Sequence, residues 1–276
     1  MVANTEIICV GNELLIGKVV NTNASWLGKQ ATSNGITVER ITVCADNVEE
    51  MAAVFREVLA RKPNFVISTG GLGPTFDDKT LEGIAEALHR KLEVNAEALR
   101  MVKAKYAEYA TTRHIKVDEM TAPRVKMATL PEGTVPLLNP LGTAPGVRAD
   151  VEGTVLIVLP GVPREMEAIF EASVAPLLRQ ASGGVVFHEK SIFADGVMES
   201  VLAPLIDTVM LDNPSVYIKS HPKGRENKPH MELHLSTSGK PTEKPEQKLK
   251  KAAAQLSNLI AKAGGEVYAD ETAESH

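Results

Sequence analysis

One short stretch of the sequence combines three glycines, two threonines and two adjacent aspartates, and it follows an apolar run. The stretch extends from Gly70 to Thr80, and Asp77 and Asp78 are its aspartates. Glycines let backbone N–H groups approach a ligand closely, and the N-terminus of a following helix favours anions. Two aspartates would repel a phosphate, but a divalent cation between carboxylate and phosphate removes that conflict. The stretch therefore predicts a site for a phosphorylated ligand and a metal ion.

The glycine pattern differs from two well-known phosphate-binding sequences. No Gly-Lys-Ser/Thr follows at the spacing of a P-loop, and the Gly-x-Gly-x-x-Gly of dinucleotide-binding loops is absent. A tight turn between a strand and a helix is the alternative interpretation. The aspartate pair favours a ligand site over that turn.

Three other segments place polar residues beside predicted strands. They are Gly11–Glu13 with Asn21–Asn23, Leu138–Gly146, and Pro160–Met166. Helix capping would explain Asn21 or Asn23 in the first segment. A proline-stiffened turn would explain the second segment, and a surface ion pair would explain Arg164 in the third. Ligand contact is the alternative for each segment, and Glu13 is the residue least easily explained by a structural role.

Strand and helix patterns alternate along the first part of the chain. Predicted strands cover 6–10, 36–43 and 65–68, and predicted helices cover 24–33, 48–60 and 81–92. This order indicates a parallel sheet with right-handed crossovers, and such sheets bind ligands at the carboxyl ends of their strands. The loops after the three strands are therefore expected to share one edge. That edge would bring together Asn12, Glu13, Asp46, Asp77 and Asp78.

The rest of the chain predicts a second, different module. A buried strand is predicted at 155–159 and a helix at 164–178, and a linker follows at 181–184. Beyond the linker the patterns run β-α-β-β-α-β, the order of a ferredoxin-like module. We predict an α/β, doubly wound, mostly parallel domain over residues 1–180 and a smaller ferredoxin-like α+β domain over residues 185–270.

Composition excludes several classes of function. The 276 residues carry a formal charge of −5 and only 4% are aromatic, so neither a basic nucleic-acid surface nor a base-stacking platform is expected. Cys9 and Cys44 lie in apolar runs, which predicts buried thiols rather than a zinc site. The sequence shows no signal peptide and no membrane-spanning run, so we expect a cytoplasmic protein without membrane contact.

Taken together, the four motifs resemble those of CinA-type proteins. The matching residues are Val10–Gly17 with Val20–Asn23, Thr69–Thr75 with Asp77, Asp78 and Thr80, Asn139 with Gly142–Gly146, and Leu159–Met166. The N-terminal domain of CinA proteins is similar in fold to the molybdopterin-binding domains of MogA and gephyrin. The motifs span residues 6 to about 178, whereas the region from residue 185 is similar to CinA only in layout.

The resemblance implies hydrolysis of ADP-ribose to AMP and ribose 5-phosphate with a divalent cation (Mg, Mn or Co), and potassium is also associated with that activity. In the molybdenum-cofactor relatives the same loop binds molybdopterin and contains an essential aspartate. Asp78 is the counterpart, Asp77 is adjacent, and Asp46 corresponds to a second aspartate. Leu72 stands where those relatives usually have threonine, which disfavours a pterin. The deamidase domain of full CinA proteins is not expected here, since the chain ends first.

These arguments assign roles to particular residues. Asp78, Asp77 and Glu13 are predicted to be catalytic, and Asp46, Asp77 and Asp78 to hold the metal. The predicted substrate-binding residues are Asn12, Asn21, Asp46, Gly70, Gly71, Gly73, Thr75, Asn139, Gly142, Thr143, Gly146, Pro160 and Gly161. The alternatives are a molybdopterin- or nucleotide-binding protein of molybdenum cofactor biosynthesis, including adenylyl transfer, and a regulatory module that binds ADP-ribose without turnover. A homo-oligomer, dimer or trimer, is also expected.

Overall fold

The computed structural model describes residues 3–113, 120–223 and 229–269, and the chain divides into two units between Ser182 and Gly183. The strands of the first unit are β1 (Asn4–Val10), β2 (Thr37–Cys44), β3 (Phe65–Thr69), β4 (Leu92–Val94), β5 (Thr129–Pro131), β6 (Val135–Leu137), β7 (Gly146–Val151) and β8 (Thr154–Leu159). Its helices are α1 (Asn12–Leu15), α2 (Thr22–Ser33), α3 (Val48–Ala60), α4 (Thr80–Ala87), α5 (Ala96–Arg113), α6 (Ala122–Lys126), α7 (Pro163–Ile169) and α8 (Ala175–Ala181).

A six-stranded sheet with strand order β2-β1-β3-β8-β7-β6 forms the centre of the first unit. β2, β1, β3 and β8 are parallel, whereas β7 and β6 are antiparallel to their neighbours. Alternate residues of β1 enter different cores: Ile8 and Val10 face α3, and Ile7 and Cys9 face α2 and α7. Helices therefore cover both faces, and the predicted mostly parallel α/β fold is confirmed.

The register of the parallel strands places four loops at one edge of the sheet. Val10 pairs with Cys44, Cys9 pairs with Thr69, and Thr69 pairs with Leu159. The chain segments that follow β1, β2, β3 and β8 therefore start side by side. This is the edge at which parallel sheets bind ligands.

The helix predicted at 81–92 is wrong at its C-terminal end. α4 stops at Ala87, and His89 adopts a left-handed backbone conformation with φ of 53°. Leu92–Val94 then forms β4, which pairs with β5 in a separate two-stranded antiparallel sheet. Leu92 fitted the apolar spacing of a helix, but in the structure it belongs to β4. The pairing of β4 with β5 joins distant segments and cannot be predicted from a local sequence pattern.

Two other differences lie near the end of the first unit. The helix predicted at 164–178 is interrupted by a π-helical turn at Phe170–Val174, because Pro176 in the next turn has no N–H to donate. β7 was not predicted, since Gly146 was interpreted as part of a turn. In the structure a Cβ at Gly146 would lie 3.1 Å from the Val158 carbonyl oxygen, so the glycine allows β7 to pack closely.

The second unit contains β9 (Val186–Asp195), α9 (Glu199–Asp212), β10 (Val216–Pro222), β11 (His230–Gly239), α10 (Pro245–Lys262) and β12 (Glu266–Tyr268). Its four strands are antiparallel in the order β10-β11-β9-β12. This order and the β-α-β-β-α-β sequence agree with the predicted ferredoxin-like arrangement. Leu202 and Ile206 of α9 and Leu256 of α10 pack on the sheet in one apolar core. Within the described residues, no helix is both long and apolar enough to cross a bilayer.

Candidate functional site

A cavity of about 370 Å³ opens at the edge where the parallel strands of the first unit end. The loops after β1, β2, β3 and β8 form most of its wall, together with the start of α7, Met127, and Thr143 and Ala144 between β6 and β7. Its acidic lining residues are Glu13, Asp46, Asp77, Asp78 and Glu165. None of the described residues that line it is lysine or arginine. We call it the acidic cavity.

The glycine-rich loop of the acidic cavity needs glycine at two positions. Gly70 and Gly71 have φ angles of 109° and 67°, which side chains rarely adopt. A Cβ at Gly70 would also overlap the Val10 carbonyl oxygen, and one at Gly71 would overlap the Thr80 hydroxyl. That hydroxyl donates to the Gly70 carbonyl at 2.9 Å. The loop is therefore held tightly against β1 and α4, with its backbone facing the cavity.

Thr75 holds the two aspartates of the loop in place. The Thr75 N–H donates to Asp78 Oδ2 at 2.8 Å, and the Thr75 hydroxyl contacts carboxylate oxygens of both Asp77 and Asp78. Hydrogen bonding from Thr75 lowers the pKa of Asp77, and Lys126 and Lys79 contribute in the same direction. Lys126 Nζ also donates to the Thr75 carbonyl. The aspartate pair is therefore fixed before any ligand binds.

Asp46 faces the aspartate pair from the loop after β2. Asp46 Oδ2 accepts the Asn12 N–H at 2.8 Å, and Asn12 Oδ1 accepts the Asp46 N–H at 3.3 Å. Burial raises the pKa of Asp46, the bond from Asn12 opposes that rise, and the charges of Glu13, Asp77 and Asp78 add to it. The carboxylates of three loops are thus close enough to affect one another, and a bound cation would relieve their repulsion.

A family model described as "Probable molybdopterin binding domain" matches residues 6–180. The chain belongs to this family. Every residue of the acidic cavity lies within the matched region. The family match also supports the molybdopterin-binding type of fold that the motifs predicted.

Known proteins extend the similarity over most of the chain. A protein of Pyrobaculum calidifontis is 48% identical over 255 residues, which are 92% of this chain and 94% of that protein. A protein of Metallosphaera sedula is 42% identical over 266 residues, 96% of this chain and 97% of that protein. The crystal structure of CinA from Thermoplasma acidophilum is 43% identical with a TM-score of 0.57, and the match covers 62% of this chain and 95% of that one. The resemblance to CinA-type proteins is confirmed.

Most of the predicted site residues line the acidic cavity. They are Glu13, Asp46, Gly70, Gly71, Gly73, Thr75, Asp77, Asp78, Thr143, Pro160 and Gly161. All of them except Thr143, which lies between β6 and β7, come from the four loops at the edge of the sheet or from the helix that begins in one of them. The convergence expected from the strand order therefore occurs in the structure.

Five predicted substrate-binding residues, Asn12, Asn21, Asn139, Gly142 and Gly146, are not among the residues that line the acidic cavity, although Asn21 lines a smaller cavity of about 130 Å³ beside it. Asn12 holds Asp46, and Asn21 Oδ1 caps α2 by accepting the Ala24 N–H at 3.0 Å. Gly146 is the first residue of β7. The polarity or small size of these residues supports the loops that carry the lining residues. The sequence alone did not distinguish residues that support a loop from residues that line the cavity.

Asn139 and Gly142 support a carboxylate that the sequence analysis missed. Asn139 is only 3% exposed, and its Nδ2 donates to Glu165 Oε2 at 2.7 Å and to the Ala144 carbonyl at 2.8 Å. Its Oδ1 accepts the Gly142 N–H at 2.7 Å. A Cβ at Gly142 would overlap the Glu165 carboxylate. Glu165 lies in the Pro160–Met166 motif beside Arg164, the residue that the sequence singled out as a candidate for ligand contact, and Arg164 is exposed.

Replacing Gly142 with alanine is expected to displace Glu165 and lower the free energy of unfolding of the first unit by about 1–3 kcal/mol. Urea unfolding followed by the fluorescence of Trp26, the single tryptophan, measures this change. Gly28→Ala in α2 is the control, because its Cβ would lie 4.0 Å from the nearest atom, Ile41 Cδ1. Adding Glu165→Ala to Gly142→Ala should recover much of the loss. Equal stability of Gly142→Ala and the wild type would show that the Glu165 side chain moves away without cost and would contradict the predicted loss.

Proposed function

We propose that the acidic cavity binds ADP-ribose and hydrolyses its pyrophosphate to AMP and ribose 5-phosphate with a divalent cation. The observation that carries this proposal is the presence of five carboxylates, and of no basic side chain among the described lining residues, beside a glycine-rich backbone loop. Such a site repels a pyrophosphate unless a cation binds with it. The likeness to CinA supports the choice of ligand.

The residues present fit a cation that is shared with the ligand. Among the described residues, no three His, Cys, Asp or Glu side chains are grouped so that they could hold a metal by themselves. Mg²⁺ commonly takes one or two protein carboxylates and completes its shell with water and substrate phosphates. Asp77 and Asp78 would supply those carboxylates, and Asp46 would face the same ion. A cation bound there neutralises phosphate charge and makes bound water more acidic.

The protein's own groups would perform the remaining steps. The Gly70–Gly73 backbone orients the phosphates, while Asp46 or Glu13 accepts a proton from the attacking water. The water oxygen bonds to one phosphorus, and the bond from that phosphorus to the bridging oxygen breaks. The accepted proton then passes to solvent or to the departing phosphate.

Incubation of the purified protein with ADP-ribose tests this function. We expect equal amounts of AMP and ribose 5-phosphate when Mg²⁺, Mn²⁺ or Co²⁺ is present, and no product in excess EDTA. Chromatography of the nucleotide products gives the readout. Persistence of intact ADP-ribose with every cation would count against the proposal.

A molybdopterin- or nucleotide-binding protein is the second candidate, and the description of the matched family favours it. Leu72 disfavours a pterin ligand, because this apolar side chain, only 4% exposed, stands at the loop position where molybdopterin-binding relatives usually have threonine. Titration with molybdopterin and with adenylated molybdopterin separates the candidates. Tight binding of either compound without turnover of ADP-ribose would favour the second.

A further inference from the structure

One carboxylate of the acidic cavity, that of Glu165, has no step in the proposed hydrolysis. Glu165 belongs to α7, the helix that follows β8, and its Oε2 accepts Asn139 Nδ2 at 2.7 Å. Asn139 is only 3% exposed, and a Cβ at Gly142 would overlap the same carboxylate. Two residues that do not themselves line the cavity therefore hold this carboxylate in one place.

The charge of Glu165 is not balanced by a basic group at the cavity. None of the described lining residues is lysine or arginine. Asn139 Nδ2 is a neutral donor, so its hydrogen bond leaves the negative charge of the carboxylate in place. Glutamine could accept the same hydrogen bond through its amide oxygen, and the contact with Asn139 therefore does not explain why a charged residue stands here. The charge is available to act on a ligand.

Glu165 and Asp46 follow the two outer strands of the four whose ends form the cavity. The strand order is β2-β1-β3-β8, Asp46 follows β2, and Glu165 follows β8. Neighbouring strands are about 4.8 Å apart, so the ends of β2 and β8 are separated by about 14 Å. Asp77 and Asp78 follow β3, between these two strands. A cation shared by Asp46 and the aspartate pair would hold a pyrophosphate over β1 and β3, and the substituent on its outer phosphate would face Glu165.

A fixed carboxylate distinguishes two kinds of group at that position. A terminal phosphate carries about 1.5 to 2 negative charges at neutral pH, and Glu165 would repel it. A sugar on the same phosphate removes part of that charge and offers hydroxyl donors instead. The carboxylate accepts such donors, and hydrogen bonds to a charged group are stronger than those between neutral groups. Both effects favour a diphosphate that is substituted at both ends.

We propose that Glu165 is a specificity-determining residue that selects diphosphates esterified at both ends, with a hydroxyl-bearing group on its side, and rejects those that end in a free phosphate. This inference rests on the proposed function, because the phosphates must lie in the acidic cavity. The substrate class is then set by the substituent on the second phosphate, and nucleoside diphosphates and triphosphates are poor ligands. Rejection by a fixed like charge is a common route to specificity.

Calorimetric titration in the presence of Mg²⁺ tests the assignment with two ligands in which a CH₂ group replaces the bridging oxygen. α,β-Methylene-ADP ends in a free phosphate, whereas α,β-methylene-ADP-ribose carries ribose on that phosphate. The wild type should bind the second ligand at least about tenfold more tightly than the first. Glu165→Gln should lower this affinity ratio by about tenfold or more, because it removes both the repulsion of the phosphate and the charged acceptor for the hydroxyls. The amide oxygen can still accept the Asn139 hydrogen bond, so the variant should fold normally.

Glu171→Gln is the matched control, since Glu171 is an exposed residue just after α7 and outside the cavity lining. It makes the same chemical change and should alter the ratio by less than about twofold. Equal changes in the affinities of both ligands in Glu165→Gln would overturn the assignment, and so would a wild type that binds both ligands equally or binds neither.

Neither ligand can be cleaved, so the result does not depend on turnover. A ratio that falls as expected in Glu165→Gln, together with no hydrolysis of ADP-ribose by the wild type, would support the assignment and refute only the proposed hydrolysis. Hydrolysis of ADP-ribose with a ratio that Glu165→Gln leaves unchanged would do the reverse.

Discussion

Asp78→Asn is expected to lower turnover of ADP-ribose by about a hundredfold or more, because it removes a charge that the proposed cation needs. Asp78 lines the acidic cavity, and its Oδ2 accepts the Thr75 N–H at 2.8 Å. Asparagine has the same shape and can keep that hydrogen bond through its own oxygen. The loop should therefore fold normally, and the lost activity would report on the charge.

The matched control for Asp78→Asn is Asp207→Asn. Asp207 is an exposed residue of α9 in the second unit, so the substitution makes the same chemical change away from the cavity. Initial rates with Mn²⁺ and circular dichroism spectra of all three proteins are the required measurements. Turnover by Asp78→Asn within twofold of the wild type would remove Asp78 from the chemistry.

Arg61→Met is expected to lower the free energy of unfolding of the first unit by about 3–5 kcal/mol. Arg61 Nε and Nη2 donate to the two carboxylate oxygens of Glu6 at 2.8 and 2.7 Å. The Glu6 side chain is 1% exposed, so removing the guanidinium leaves a buried carboxylate without its charged partner. The pairing with Glu6 also raises the pKa of Arg61, so the guanidinium stays charged across the accessible pH range.

An exposed ion pair between α3 and α4 provides the comparison. Arg56 pairs with Glu86 at 3.2 Å, and both side chains are more than two-fifths exposed, at 44% and 46%. Arg56→Met should therefore cost no more than about 1 kcal/mol. Adding Glu6→Leu to Arg61→Met should restore much of the lost stability. Urea unfolding followed by Trp26 fluorescence measures the free energy of unfolding of the first unit. Similar losses of stability in Arg61→Met and Arg56→Met would contradict the argument that burial of Glu6 makes its ion pair the more important one.

The general layout of the fold could be predicted because it follows from local patterns. The bounds of α3 agree with those predicted, since Asn47 caps the helix by accepting the Glu50 N–H at 3.0 Å. The apolar runs of β1, β3 and β8 marked buried parallel strands. Strand order then placed the aspartates of separate loops at one edge, where the acidic cavity lies.

The sequence could not show which residues of a motif line the cavity and which support the loop. Asn139 and Thr143 belong to the same segment, yet Asn139 is buried against Glu165 while Thr143 lines the cavity. β4 was likewise hidden, because its identity depends on pairing with β5 more than thirty residues later. Both outcomes depend on contacts between distant segments, which periodicity and spacing do not report.

The most direct test of the central claim is phosphorus NMR of ADP-ribose incubated with the protein and Mg²⁺ in water enriched in oxygen-18. The account predicts that the pyrophosphate resonances give way to two phosphate monoesters in equal amounts, AMP and ribose 5-phosphate. One of the two should carry a single solvent oxygen, and Asp78→Asn should form neither at a comparable rate. Unchanged pyrophosphate resonances in the presence of folded wild-type protein and Mg²⁺, Mn²⁺ or Co²⁺ would contradict the account.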